Sequence, residues 1–85
     1  MITVLFFAAL RERLQTPMQQ LDSSRLPADP TAASVLSALQ QESDSWRQEL
    51  SRQDLLCAVN QQLCPLHTRV QPGDELAFFP PVTGG

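Results

Sequence analysis

The 85-residue sequence has no lysine and no tyrosine, and only three glycines, two cysteines, one histidine and one tryptophan. All six basic residues are arginines, and they are scattered along the chain. With a formal net charge of −3 and no basic stripe, nothing is present to neutralise a run of phosphates, so nucleic acid is not an expected partner. Without lysine, the chain offers no side-chain amine to which another chain's terminus could be joined.

Metal and disulfide frameworks are equally thin. Cys57 and Cys64 match neither a zinc pattern nor a Cys-x-x-Cys redox motif. The single histidine, His67, stands beside Thr68 and Arg69 in a polar stretch with no ligand cluster around it, so no metal site is expected. Both cysteines read as small apolar residues on strands. A disulfide is not expected in a reducing compartment, and a persulfide on one of them is the functional alternative.

No apolar run is long enough to cross a bilayer. The segment Met1-Ile2-Thr3-Val4-Leu5-Phe6-Phe7 is apolar but lacks the preceding basic residues of a signal peptide. It reads as a strand, and the expectation is a cytoplasmic protein with no membrane partner.

What is present is 42% hydrophobic residues, enough for one core. A chain this short buries only roughly 60–65% of its unfolded surface, so one thin core and one domain are expected. Residues 2–7 predict a strand with two apolar faces, which must be covered on both sides or meet a partner. Residues 8–14 suit a short helix ended by Gln15-Thr16-Pro17, and 18–23 a weak edge strand. Thr31 suits a helix N-cap, but Ser34 in place of Glu or Gln predicts that a full capping box is missing. Ala32, Val35, Leu36 and Leu39 then fall on one helical stripe. A second helix is expected over 45–50, with Trp46 as a core plug. Strands follow at 55–59, at Leu63-Cys64 and at 75–79, joined by turns at Asn60-Gln61-Gln62 and at Gln71-Pro72-Gly73-Asp74. The sum is an α+β domain over 1–79, a mixed sheet with one main helix on one face.

The last eight residues, Phe78-Phe79-Pro80-Pro81-Val82-Thr83-Gly84-Gly85, carry the functional signal. Residues 76–85 have no charged side chain. Pro80 and Pro81 lack the N–H a ladder needs, so the strand must stop there, and they hold the backbone extended. Val82 and Thr83 are β-branched and resist helix. The four residues after Pro81 reach roughly 13 Å at ~3.3 Å each. Gly84 and Gly85 have no Cβ, so 80–85 is a slender neutral arm tipped by a carboxylate.

This ending resembles the C-terminal signature of the MoaD family, the small subunits of molybdopterin synthase. The likeness extends to Pro72-Gly73-Asp74-Glu75-Leu76-Ala77, to Leu55-Leu56-Cys57-Ala58-Val59-Asn60-Gln61, to Met1-Ile2-Thr3-Val4-Leu5-Phe6-Phe7-Ala8 and to the Pro30-Thr31 helix start. It is weak over 15–29 and 40–54. The resemblance implies a ubiquitin-like β-grasp fold with first and last strands parallel and adjacent. It implies a sulfur carrier in molybdenum cofactor biosynthesis. Gly85 would be adenylated by a MoeB-like enzyme using ATP and magnesium, and a persulfide donor would convert it to a thiocarboxylate. That group would pass sulfur to cyclic pyranopterin monophosphate (precursor Z) inside a MoaE-like large subunit, in a heterotetramer. No cofactor would be held permanently. Gly84, Thr83, Val82, Pro81 and Pro80 would thread the partner's channel. Neighbouring readings are a ThiS-like carrier for thiamine biosynthesis, a ubiquitin-related protein modifier, and a binding module with an inert tail.

Strand alternation gives the partner face. If Val4, Phe6, Leu76 and Phe78 point inward, then Phe7, Ala77 and Phe79 point outward. With Leu63 added, Phe7 and Phe79 are expected to form an apolar patch that docks the large subunit.

Overall fold

The structure is a computed structural model that describes residues 1–81. The strands are β1 (Ile2–Phe6), β2 (Met18–Leu21), β3 (Leu56–Val59), β4 (Gln62–Cys64) and β5 (Glu75–Phe79). The helices are α1 (Ala8–Leu14), α2 (Ala32–Leu39) and α3 (Asp44–Leu50), with a short 3₁₀ turn at Ser23–Arg25. The sheet order is β2-β1-β5-β3-β4. β5 lies parallel to β1, pairing Val4 with Leu76 and Phe6 with Phe78, and antiparallel to β3. This is the β-grasp arrangement: first and last strands sit side by side at the centre, and the helical segments cover one face.

The alternation explains the core. Ile2, Val4, Phe6, Leu21, Leu76, Phe78 and Cys57 share one side of the sheet and are all buried. They form one cluster with Leu10, Leu14, Val35, Leu39 and Leu50 from the helices. Trp46 is partly buried, and its ring meets Phe6 edge-on at 5.5 Å, so it closes the core margin as expected of a plug.

Local chemistry sets the boundaries. The expectation of an incomplete capping box at α2 is corrected. Thr31 Oγ1 accepts from the Ser34 N–H, and Ser34 Oγ accepts from the Thr31 N–H at 3.1 Å. A serine hydroxyl is long enough to reach back over one turn, so Glu or Gln is not required. The second strand is shorter than 18–23. Asp22 leaves it to cap the 3₁₀ turn, accepting from the Ser24 N–H at 2.9 Å, and that bond lowers its pKa. The β3–β4 connection is a two-residue loop, Asn60 and Gln61, both at positive φ as a type I′ hairpin requires. Gln62 belongs to β4. Asn60 ties the loop to β5: its N–H donates to the Glu75 carbonyl, and its Oδ1 accepts from the Glu75 N–H. In the Gln71–Asp74 turn, Gly73 takes φ +93°, a region that L side chains avoid.

Candidate functional site

The other sheet face carries a second set of apolar residues. Register places Met18 opposite Leu5, Leu5 opposite Ala77, Ala77 opposite Ala58, and Ala58 opposite Leu63. One apolar row therefore crosses all five strands. Its ends are open, with Met18 48% and Leu63 69% exposed, while Ala77 and Ala58 lie low between their neighbours. Among the described residues no helix covers this side, because helical residues cluster with the opposite set of strand side chains.

A second row runs beside the first, at the end of β5. Leu56 pairs with Phe79 across β3 and β5. Phe7, the N-cap residue of α1, is 45% exposed and meets Phe79 with ring centroids 6.4 Å apart. β1 and β5 run the same way, so both reach this edge together. Phe7, Phe79 and Leu56 therefore surround the point where the chain leaves the sheet. Pro80 and Pro81 follow, partly buried and outside the ladder. Val82, Thr83, Gly84 and Gly85, the outer residues of the expected arm, lie outside the described residues.

The structure thus brings together Phe7 and Phe79 of the expected patch. Leu63 shares their face, but it sits one row back and on the sheet edge. The sequence reading missed Leu5, Met18, Leu56 and Ala58. The signal was available for Leu5, since β1 was read as apolar on both sides. Met18 was hidden in a segment with little apolar content, and Leu56 needed the register with Phe79.

Among the strand residues of this face the charged one is Glu75, which alternation along β5 puts on the same side as Ala77 and Phe79. Arg13 of α1 pairs with Glu49 of α3, and Arg25 of the 3₁₀ turn pairs with Glu42 in the connection between α2 and α3. Among the described residues, no cluster of His, Cys, Asp or Glu could hold a metal ion. No helix there is long and apolar enough to cross a membrane. The arrangement sets an apolar face around the point where Pro80 and Pro81 leave the middle of the sheet.

The ThiS family model matches residues 4–85, which includes both the platform and the arm. The chain belongs to the ThiS family. This ThiS-family chain is 46% identical over 85 residues to the molybdopterin synthase sulfur carrier subunit of Haemophilus influenzae, covering 100% of each. It is similar in structure to SAMP1 from Haloferax volcanii, with a TM-score of 0.78 and 26% identity over 99% of this chain and 98% of that one. It also shares its fold with a chain from the complex of subunits 1 and 2 of molybdopterin-converting factor from Helicobacter pylori. There the TM-score is 0.66 and the identity 22%, over 99% of this chain and 97% of that one.

Proposed function

We propose that this chain is the sulfur carrier of a molybdopterin synthase and that its reactive group is the carboxylate of Gly85. The full-length identity to a sulfur carrier subunit carries this reading. The apolar rows around the root of the arm support it, because a carrier must dock while its terminus enters another protein's site.

A carboxylate resists attack because its charge is delocalised and oxide is a poor leaving group. Adenylation answers both problems. A Gly85 oxygen attacks the α-phosphorus of ATP, pyrophosphate leaves, and the acyl carbon now bears AMP as a leaving group. A MoeB-like enzyme with magnesium would catalyse this step. A persulfide sulfur attacks the acyl carbon and AMP departs; a second thiol then breaks the S–S bond and leaves a thiocarboxylate. Residues 76–85 hold no acid, base or cation. Stabilisation of each developing charge must therefore come from the partner.

The large, MoaE-like subunit would sit on the Met18–Leu63 row and the Phe7–Phe79 pair, with Pro80 to Gly85 reaching into its active site. Precursor Z would receive the sulfur there. Gly84 and Gly85 suit a channel too narrow for a Cβ.

The test is intact-mass spectrometry after incubation with the activating enzyme, ATP, magnesium and a persulfide donor. The expected result is replacement of one oxygen by sulfur, mapped by fragmentation to Gly85. A chain lacking Gly84 and Gly85 should fold and gain nothing. Molybdopterin formation by that truncated chain would overturn the proposal.

A further inference from the structure

The two cysteines are not independent of each other. Cys57 on β3 faces Cys64 on β4 in direct register, on the core side of the sheet. Their Sγ atoms are 3.5 Å apart, and the Cys57 thiol also donates to the Cys64 carbonyl. Facing residues of an antiparallel pair have Cα atoms about 4.5–5.5 Å apart, inside the ~4.4–6.8 Å that a disulfide spans. Bond formation requires the two sulfurs to close from 3.5 Å to the ~2.05 Å of a disulfide.

Access is asymmetric. Cys57 is 3% exposed, on an inner strand. Cys64 is half-buried on β4, the edge strand. A small molecule can therefore reach one sulfur along the open edge, with the second sulfur already against the first. Two thiols are also all that is there: among the described residues no further ligating group completes a metal site.

We propose that Cys57 and Cys64 form an oxidisable dithiol site, which takes low-molecular-weight disulfides of the glutathione class and closes to an intramolecular disulfide. Cys64, as thiolate, attacks one sulfur of oxidised glutathione. That S–S bond breaks, one glutathione leaves as thiolate, and Cys64 carries the other as a mixed disulfide. The released thiolate takes up a proton. Cys57 then loses its own proton and attacks Cys64 Sγ, and the second glutathione leaves and is protonated. Two protein thiols have been oxidised and one glutathione disulfide reduced to two thiols. Burial disfavours the Cys57 thiolate, but the held sulfur 3.5 Å away makes its attack intramolecular. The product staples the edge strand to the sheet. The site makes no use of the arm and stands apart from the reading of Gly85.

The experiment incubates the full chain with oxidised glutathione and reads intact mass, then peptide masses from a non-reducing digest. The expected product has lost two hydrogens, links Cys57 to Cys64 and keeps no glutathione. Cys57→Ala, under the same conditions, should instead retain one glutathione on Cys64. The proposal fails if the native chain keeps a glutathione adduct as the variant does, if it links to a second chain, or if it stays reduced. The native-chain result decides the matter even where the variant folds poorly.

Discussion

Phe7 and Phe79 meet edge-on, ring centroids 6.4 Å apart, where the parallel strands β1 and β5 end together. One ring begins α1 and the other ends the last strand, so the pair ties the root of the arm to the start of the fold. Neither is part of the fully buried core.

That position separates binding from stability. Phe7→Ala should cost the isolated domain about 1 kcal/mol, roughly half of what a fully buried phenylalanine contributes, since nearly half its surface is already in water. Against the proposed large subunit the same change should cost about 2 kcal/mol or more, as central aromatic anchors do, or roughly thirtyfold in affinity. Thermal unfolding and titration calorimetry together check this. Equal losses in both would place Phe7 in the core rather than the interface.

Leu63 tests the far end of the crossing row. At 69% exposed, Leu63→Asp should leave the unfolding midpoint nearly unchanged. A charge buried without a partner at an apolar interface costs several kcal/mol, so complex formation should fall by about a hundredfold or more. Binding unaffected by this change would confine the interface to the Phe7–Phe79 end.

Much of this architecture was legible in the residues. The strand alternation of Val4 and Phe6 with Leu76 and Phe78 placed one face inside, and the Pro80-Pro81 pair ended the last strand. What stayed hidden was register. Which of Leu5, Met18, Leu56 and Ala58 would line up depends on strand order, and non-local pairing has no signature in local sequence. The capping box failed for a different reason: the motif specifies Glu or Gln, while the physical need is only an acceptor within reach, which Ser34 supplies. The contact of Cys57 with Cys64 required the two-residue loop at Asn60-Gln61 to be counted correctly; a three-residue turn puts the two out of register.

The Thr31 cap is worth measuring. Thr31→Ala removes the acceptor for the Ser34 N–H and should lower stability by about 1 kcal/mol, within the ~0.5–2 kcal/mol seen for such changes. Ser34→Ala removes the reciprocal bond to the Thr31 N–H and the 3.2 Å hydroxyl–hydroxyl contact with Thr31, but leaves the Ser34 N–H capped, and should cost less. Denaturant unfolding of both checks the order; a larger loss at Ser34 would reverse the assigned roles.

The hairpin loop carries removable strain. Gln61 holds φ 69°, where a Cβ crowds the backbone. Asn-Gly is the preferred pair for this turn. Gln61→Gly should therefore stabilise the protein by about 1 kcal/mol, because the ~1–2 kcal/mol of left-handed strain outweighs the glycine's added unfolded-state freedom. A lower unfolding midpoint would show that Gln61 makes a compensating contact.

The absent lysines and tyrosines simplify the alkaline limb of stability. With neither present and arginine staying charged, the buried Cys57 thiol is the group to follow there. Burial chiefly, then the hydrogen bond and charge of Cys64, push the Cys57 thiol from 9.0 up to about 12. Its folded pKa lies above its unfolded value, so the unfolded chain sheds this proton first as pH rises. Stability is therefore intact below about pH 9 and falls between about 9 and 12. The slope approaches but does not exceed about 1.4 kcal/mol per pH unit, the value for one proton. In Cys57→Ala the limb should flatten. Unfolding midpoints in denaturant across this range provide the measurement, and a limb equally steep in the variant would mean that another group titrates there.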